Sequence, residues 1–165
     1  MISKGRVWRF GDDINTDLII PGRYLDNYDP GHLASHAMEG VSREFASKVR
    51  KGDVIVAGRN FGCGSSREQA VIALRQAGVS AVVAGSFARI FYRNAVNLGL
   101  CPLVSQDAHA VFADGDVVSV DMGSSTVVSE DGSKKASVEP LPDHVRAILE
   151  SGGLVQHIRS RLRRV

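Results

Sequence analysis

The segment Gly62-Cys63-Gly64-Ser65-Ser66-Arg67-Glu68 gathers in seven positions the residue types that hold an anion. A chain that leaves a strand through glycines and opens a helix aims several unpaired backbone N–H groups at one spot, where the helix dipole adds about half a positive charge. Ser65 and Ser66 add hydroxyl donors, and Arg67 adds a planar guanidinium able to grip a carboxylate through two parallel hydrogen bonds. The segment is not a phosphate loop, because the Lys-Ser/Thr ending is missing, and its spacing is not Gly-x-Gly-x-x-Gly. An ordinary helix start competes with the anion site, since Ser65-x-x-Glu68 fits a capping box with Ser65 as N-cap and Glu68 reaching back. Spacing leaves both open. Arg67 weighs toward the anion, because an arginine in a first helical turn opposes the dipole by a few tenths of a kcal/mol unless a negative charge stands nearby.

The other chemistry-bearing residues are more scattered. Gly11 to Asp17 is a carboxylate-rich loop, and Asp26, Asn27 and Asp29 follow within a polar, irregular stretch that begins at Tyr24. Such clusters ordinarily make local side-chain-to-backbone bonds. His32, His36, His109, His144 and His157 show no metal-ligand spacing, and the i, i+4 pair His32/His36 lacks a third ligand. Cys63 and Cys101 lie 38 positions apart with no Cys-x-x-Cys pattern, so neither a zinc site nor a disulfide framework is indicated.

The elements that must carry the loop follow from periodicity. Asp53 to Gly58 is a continuous apolar, β-branched run that suits a strand covered on both faces. Ala70, Val71, Leu74 and Ala77 recur at helical spacing across Ser66–Ala77, which Gly78 closes. Val79–Ala84 repeats the buried-strand pattern, completing a parallel βαβ unit. A helix over Phe87–Leu98, a strand at Pro102–Val104 and a short helix near Ala108–Ala113 extend it. The rest turns β at Asp116–Asp121, Thr126–Ser129 and Lys135–Val138. Helices at Pro142–Glu150 and Leu154–Leu162 finish the chain, separated by Gly152-Gly153. Upstream, Val7–Phe10 reads as a strand, Leu18–Ile20 as an apolar stretch stopped by Pro21-Gly22, and His32–Met38 as a helical turn or two.

The 165 residues, 44% of them hydrophobic, suffice for one core, so residues 1–165 are expected to form a single α/β domain with a helical end at about 142–165. A net charge of +2 and a 23% charged fraction give no case for nucleic acid. Arg159, Arg161, Arg163 and Arg164 read as cations complementing a helix C-terminus. With no apolar run of membrane-spanning length and no signal-peptide pattern, a cytoplasmic protein without membrane association is expected.

Three separated blocks carry a family resemblance: Asp13-Ile14-Asn15-Thr16-Asp17-Leu18-Ile19-Ile20-Pro21-Gly22-Arg23-Tyr24-Leu25, then Asn60 to Glu68, then Ser86-Phe87-Ala88-Arg89-Ile90-Phe91-Tyr92-Arg93-Asn94. Their sequence and order resemble the small subunits of 3-isopropylmalate dehydratase, in the aconitase superfamily. The resemblance implies a swivelling β/β/α domain that binds no cofactor itself and closes over a large partner subunit bearing a [4Fe-4S] cluster. It implies that Ser65 removes a proton from the carbon beside a carboxylate, that Gly64, Ser66 and Arg67 bind substrate, and that Asp17 has a supporting or proton-relay role. Cys63 is expected to be a packing residue, and no catalytic role is assigned to Arg89, Arg93 or Asn94.

The same resemblance makes the stretch at Tyr24, Leu25 and Asp26 substrate-facing and specificity-setting. A carboxylate at Asp26 would repel a third substrate carboxylate, which argues against a homoaconitase role. Asp26 is expected to point to solvent, with Tyr24 or Leu25 lining the pocket. Gln69 departs from the histidine common in the family after Ser-Ser-Arg-Glu. The expected function is therefore interconversion of 2- and 3-isopropylmalate in leucine biosynthesis by dehydration and rehydration. Its rivals are a dehydratase for another branched 2-hydroxy diacid such as dimethylmalate and, from another class, a stand-alone carboxylate-binding module.

Overall fold

The computed structural model describes residues 2–164. In chain order the elements are β1 (Ile2–Arg9), α1 (Thr16–Ile19), α2 (Pro30–Ser35), α3 (Phe45–Lys48), β2 (Val54–Ala57), α4 (Glu68–Ala77), β3 (Ala81–Ala84) and α5 (Arg89–Leu98). They continue as β4 (Cys101–Val104), α6 (Ala108–Val111), β5 (Val117–Asp121), β6 (Thr126–Ser129), β7 (Lys135–Ser137), α7 (Asp143–Glu150) and α8 (Leu154–Leu162).

One seven-stranded sheet runs β4-β3-β2-β1-β5-β6-β7. Its pivot is β1, which is longer than Val7–Phe10 suggests because its two halves answer to different partners. Residues 7–9 pair parallel with β2, whereas residues 2–6 pair antiparallel with β5, more than a hundred positions away. The parallel half, β4 to β1, comes from the expected strand–helix repeats, and β5 to β7 form an antiparallel meander.

Alternate residues of β2 and β3 enter two cores, which is why both strands read as unbroken apolar runs. Ile55, Ala57, Val82 and Ala84 pack toward the helices with Ile19, Phe61, Val71 and Leu74. Val54, Val56, Ala81 and Val83 pack with Val118, Val120, Val127 and Phe112. The antiparallel half thus lies over the parallel half, and the sheet edges are tied where Glu139 N–H donates to the Val104 carbonyl at 2.8 Å and Ser105 Oγ to the Ser137 carbonyl at 2.7 Å. The layers are β, β and α, as expected.

Asp53 does not belong to β2. Its buried carboxylate accepts from Arg6 N–H at 3.0 Å, Trp8 Nε1 at 3.0 Å and Arg50 N–H at 2.9 Å, fastening the strand's entry to β1. Full hydrogen bonding is what permits a carboxylate there. The four-residue helices α1 and α3 have no sequence period to announce them. Asn15 caps α1 by accepting from Leu18 N–H at 2.9 Å. Among the described residues no helix is long and apolar enough to cross a membrane.

Candidate active site

The three sequence blocks converge at the end of the parallel strands where β2 runs out toward α4. Gly58 N–H donates to the Gly11 carbonyl at 3.0 Å, Arg59 N–H to Asp12 Oδ1 at 2.7 Å, and Gly62 N–H to the Ile14 carbonyl at 2.7 Å. From the third block, Phe61 N–H donates to the Ser86 carbonyl and Ala88 N–H to the Phe61 carbonyl, each at 3.0 Å. Asp13 and Asn60 both hold left-handed backbone, at φ 53° and 61°, and are tied by a 3.0 Å bond from Asn60 Nδ2 to Asp13 Oδ1. Conformations of this sort persist where surrounding contacts over-determine them.

Gly62 is required twice over: its φ is +79°, and a Cβ there would fall 2.2 Å from Phe91 Cγ. Phe91 stands edge-on to Phe61 at 5.2 Å between ring centroids, so the loop's base rests on a packed aromatic cluster. Gly64, at φ +92°, turns the chain outward into exposed Ser65 and Ser66. Thr16, buried beneath them, accepts the loop from below: its N–H donates to the Cys63 carbonyl and its Oγ1 to the Ser65 carbonyl, each at 2.9 Å.

The capping box does not form. Helix α4 starts at Glu68 with Arg67 as N-cap, extended at φ −139° and ψ 102°, and with no side-chain cap. Ser65 lies too far upstream to serve the first turn because its carbonyl is drawn to Thr16 instead. As a result, among the described residues, the N–H groups of Cys63, Gly64, Ser65 and Ser66 meet no backbone acceptor.

Arg67 is held by Asp17, with Nη1 donating to Asp17 Oδ1 at 3.1 Å and to the Ile20 carbonyl at 3.2 Å. The same Asp17 oxygen accepts from Gly22 N–H at 3.1 Å. The Arg67 hydrogen bond, followed by that of Gly22, pulls the Asp17 carboxyl below its ordinary range. Part of the anion that Arg67 needs is therefore supplied from within the chain, and Asp17 acts on the loop through Arg67.

Above the loop opens a cleft of about 490 Å³. Gly64, Ser65, Ser66 and Arg67 form one wall, while Arg89, Arg93 and Asn94 on α5 form another. The sequence assigns the α5 residues no catalytic role and leaves helix surface and subunit docking both open for them. Their signal was available in the spacing of four that puts Arg89 and Arg93 on one helical face, but only the fold places that face opposite the serines.

Tyr24, Leu25 and Asp26 do not line this cleft. The Tyr24 ring stacks on His36 with centroids 3.6 Å apart, its hydroxyl donates to Glu39 Oε1 at 2.7 Å, and Leu25 packs against the helical-side core. Asp26 is exposed, as expected. Among the described residues no three His, Cys, Asp or Glu side chains come together as a metal site. Cys101 is buried in the core between the sheet halves, where desolvation pushes its thiol up to about 12, and Cys63 is partly exposed in the loop.

Residues 24–108 match the aconitase C-terminal domain family. The chain is 57% identical over 156 residues, 94% of its length and 90% of the relative's, to a protein named methanogen homoaconitase small subunit from Methanothermobacter thermautotrophicus. It is 55% identical over 158 residues, 96% of its length and 93% of the relative's, to 3-isopropylmalate dehydratase small subunit 1 from Methanopyrus kandleri. A crystal structure titled 3-isopropylmalate dehydratase from Methanocaldococcus jannaschii matches with a TM-score of 0.92 at 52% identity, covering 98% of this chain and 95% of that one. With the converging blocks, the β/β/α layers and these likenesses together, the chain belongs to the aconitase C-terminal domain family.

Proposed function

We propose that this chain is the small subunit of a cytoplasmic hydro-lyase that interconverts 2- and 3-isopropylmalate in leucine biosynthesis, working with a large subunit. The observation that carries this reading is the pair of exposed serines, with unengaged N–H groups about them, facing a cleft whose lining includes three arginines and no acid.

Ser65 is the base. An unassisted serine hydroxyl is far too weak an acid to lose its proton near neutrality, so its surroundings must stabilise the alkoxide. The N–H groups of residues 63–66, the start of α4 and the Arg67 guanidinium supply fixed positive potential there without reorganisation. Ser65 takes the proton from the carbon beside a substrate carboxylate while the hydroxyl on the neighbouring carbon departs as hydroxide, which takes a proton from solvent to become water, leaving a double bond; addition in the opposite sense completes the isomerisation. Ser66, Arg67 and the Gly64 N–H bind carboxylate, and Asp17 sets the guanidinium's position. A [4Fe-4S] cluster held by the large subunit would supply Lewis-acid chemistry at the departing hydroxyl.

Ile90 and Ala88 give the cleft an apolar patch suited to a branched alkyl group. A second reading, a homoaconitase-type tricarboxylate substrate, is favoured by the 57% identity to the methanogen relative and by the surplus of arginine over acid in the cleft. Reconstitution with the large subunit and assay against isopropylmalate, dimethylmalate and homocitrate separates them. The proposal expects isopropylmalate to be turned over most efficiently, and exclusive turnover of either rival would refute the assignment to leucine biosynthesis. Hydroxy-diacid binding with no cluster-bearing partner in the source cells would support the stand-alone module.

A further inference from the structure

Arg89 and Arg93 are placed where a helix should not want them. Arg89 is the first residue of α5, against the positive end of the dipole, and Arg93 stands one turn on, so the two like charges share a face. Both are exposed, and among the described residues neither enters an ion pair or a side-chain hydrogen bond. Each arrangement costs a few tenths of a kcal/mol that nothing in the chain offsets. Both side chains nevertheless line the cleft whose other wall is Ser65-Ser66-Arg67, and no Asp or Glu lines it. They also border a neighbouring groove that carries Glu139, without pairing to it. The cleft is therefore a pocket of one sign, which concentrates an anion.

Arg67 cannot hold a whole dianion, because part of its donor capacity is committed to Asp17 and the Ile20 carbonyl. A dicarboxylate with one carboxylate at the serine loop needs further cations for the other, and α5 presents them across the same cavity. We infer that Arg89 and Arg93 bind the substrate carboxylate remote from the serine loop, and that they set the affinity for diacids over monoacids. This rests on the reading of the loop as half of a hydro-lyase site. The rival use, an acidic surface of the large subunit, fits less well because the arginines share their cavity with the serines.

The test uses the reconstituted two-subunit enzyme with Arg89→Gln, Arg93→Gln and the double variant. The expected result is a KM for isopropylmalate raised about 10- to 100-fold per arginine, the range of a lost charge-assisted hydrogen bond. The kcat should change much less, and subunit association measured by sedimentation should be unchanged. Arg93→Lys should recover part of the loss, since it keeps the charge without the planar fork. Wild-type KM in the double variant overturns the inference, as does weakened subunit association with normal KM at saturating partner.

Should the wild-type pair turn over no malate, the hydro-lyase reading falls. The arginine assignment is then decided on the full chain alone by NMR of the arginine Nε–H signals titrated with isopropylmalate. Shifts at Arg89 and Arg93, abolished by substitution, support it, and silence there overturns it.

Discussion

Residues 62–68 and 129–134 are both serine- and glycine-bearing links that leave strands of the same sheet. Their polar groups meet opposite fates. In Ser129-Glu130-Asp131-Gly132-Ser133-Lys134, Asp131 Oδ1 accepts from the Ser129 hydroxyl at 2.7 Å and from Ser133 through its hydroxyl at 2.7 Å and its N–H at 2.9 Å. Ser129 Oγ in turn accepts from Lys134 N–H at 2.9 Å, and Lys134 Nζ reaches Asp116 at 2.7 Å. The serine hydroxyls and the Asp131 carboxylate there are consumed within the turn. In the 62–68 loop the carbonyls of Cys63 and Ser65 are tied down by Thr16, while among the described residues the N–H groups of residues 63–66 meet no backbone acceptor. Similar composition thus gives a closed turn where an aspartate sits among the serines, and a donor-rich cradle where the aspartate is moved to position 17 and spent on an arginine.

The comparison breaks most sharply on activity. In the assembled enzyme Ser65→Ala should lower turnover by roughly 10^3-fold or more with subunit association intact, whereas Ser133→Ala should leave steady-state kinetics unchanged. Comparable effects of the two would erase the distinction. The glycines provide the next contrast. Gly62→Ala must take a left-handed φ and push against Phe91, so chemical denaturation should show a loss of about 2–4 kcal/mol. Gly132, at φ +73° with open space around it, should lose only the backbone share, about 1–2 kcal/mol.

Asp17→Asn keeps the shape beside Arg67 but removes the charge, and because Asp17 is largely exposed the expected change is a KM rise of roughly 2- to 5-fold. An unchanged KM would remove Asp17 from the account of how Arg67 is positioned. The smallest effect is a titration. The Ser133 hydroxyl, then the Ser133 N–H and the Ser129 hydroxyl, bring the Asp131 carboxyl down from the ordinary 3.8 to about 2. A folded value below the unfolded one means that its contribution to stability is complete above pH 3.8 and is lost as pH falls toward 2. NMR should place the Asp131 inflection near 2, and replacing Ser129 and Ser133 with alanine should return it toward 3.8.

Much of this contrast was legible in the residues, and the remainder depended on contacts far apart in sequence. The β2 and β3 runs and the α4 periodicity with Gly78 at its end are local signals, and each element appears within a few residues of its expected place. The anion-holding character of 62–68 was likewise readable from residue types. The capping box was not ruled out by the sequence, because what displaces Ser65 from the helix end is Thr16, 49 positions earlier. The antiparallel half of β1 was hidden for the same reason, its partner being β5. For Arg89 and Arg93 the sequence leaves helix surface and subunit docking both open, and only the fold seats α5 opposite the serines.

The central claim is that Ser65 moves the substrate proton, and solvent isotope exchange reads that step without depending on full turnover. The reconstituted wild-type enzyme in deuterium oxide should wash deuterium into the carbon-bound position of isopropylmalate, and Ser65→Ala, with subunits still associated and substrate still bound, should not. Exchange at the wild-type rate in Ser65→Ala would contradict the account.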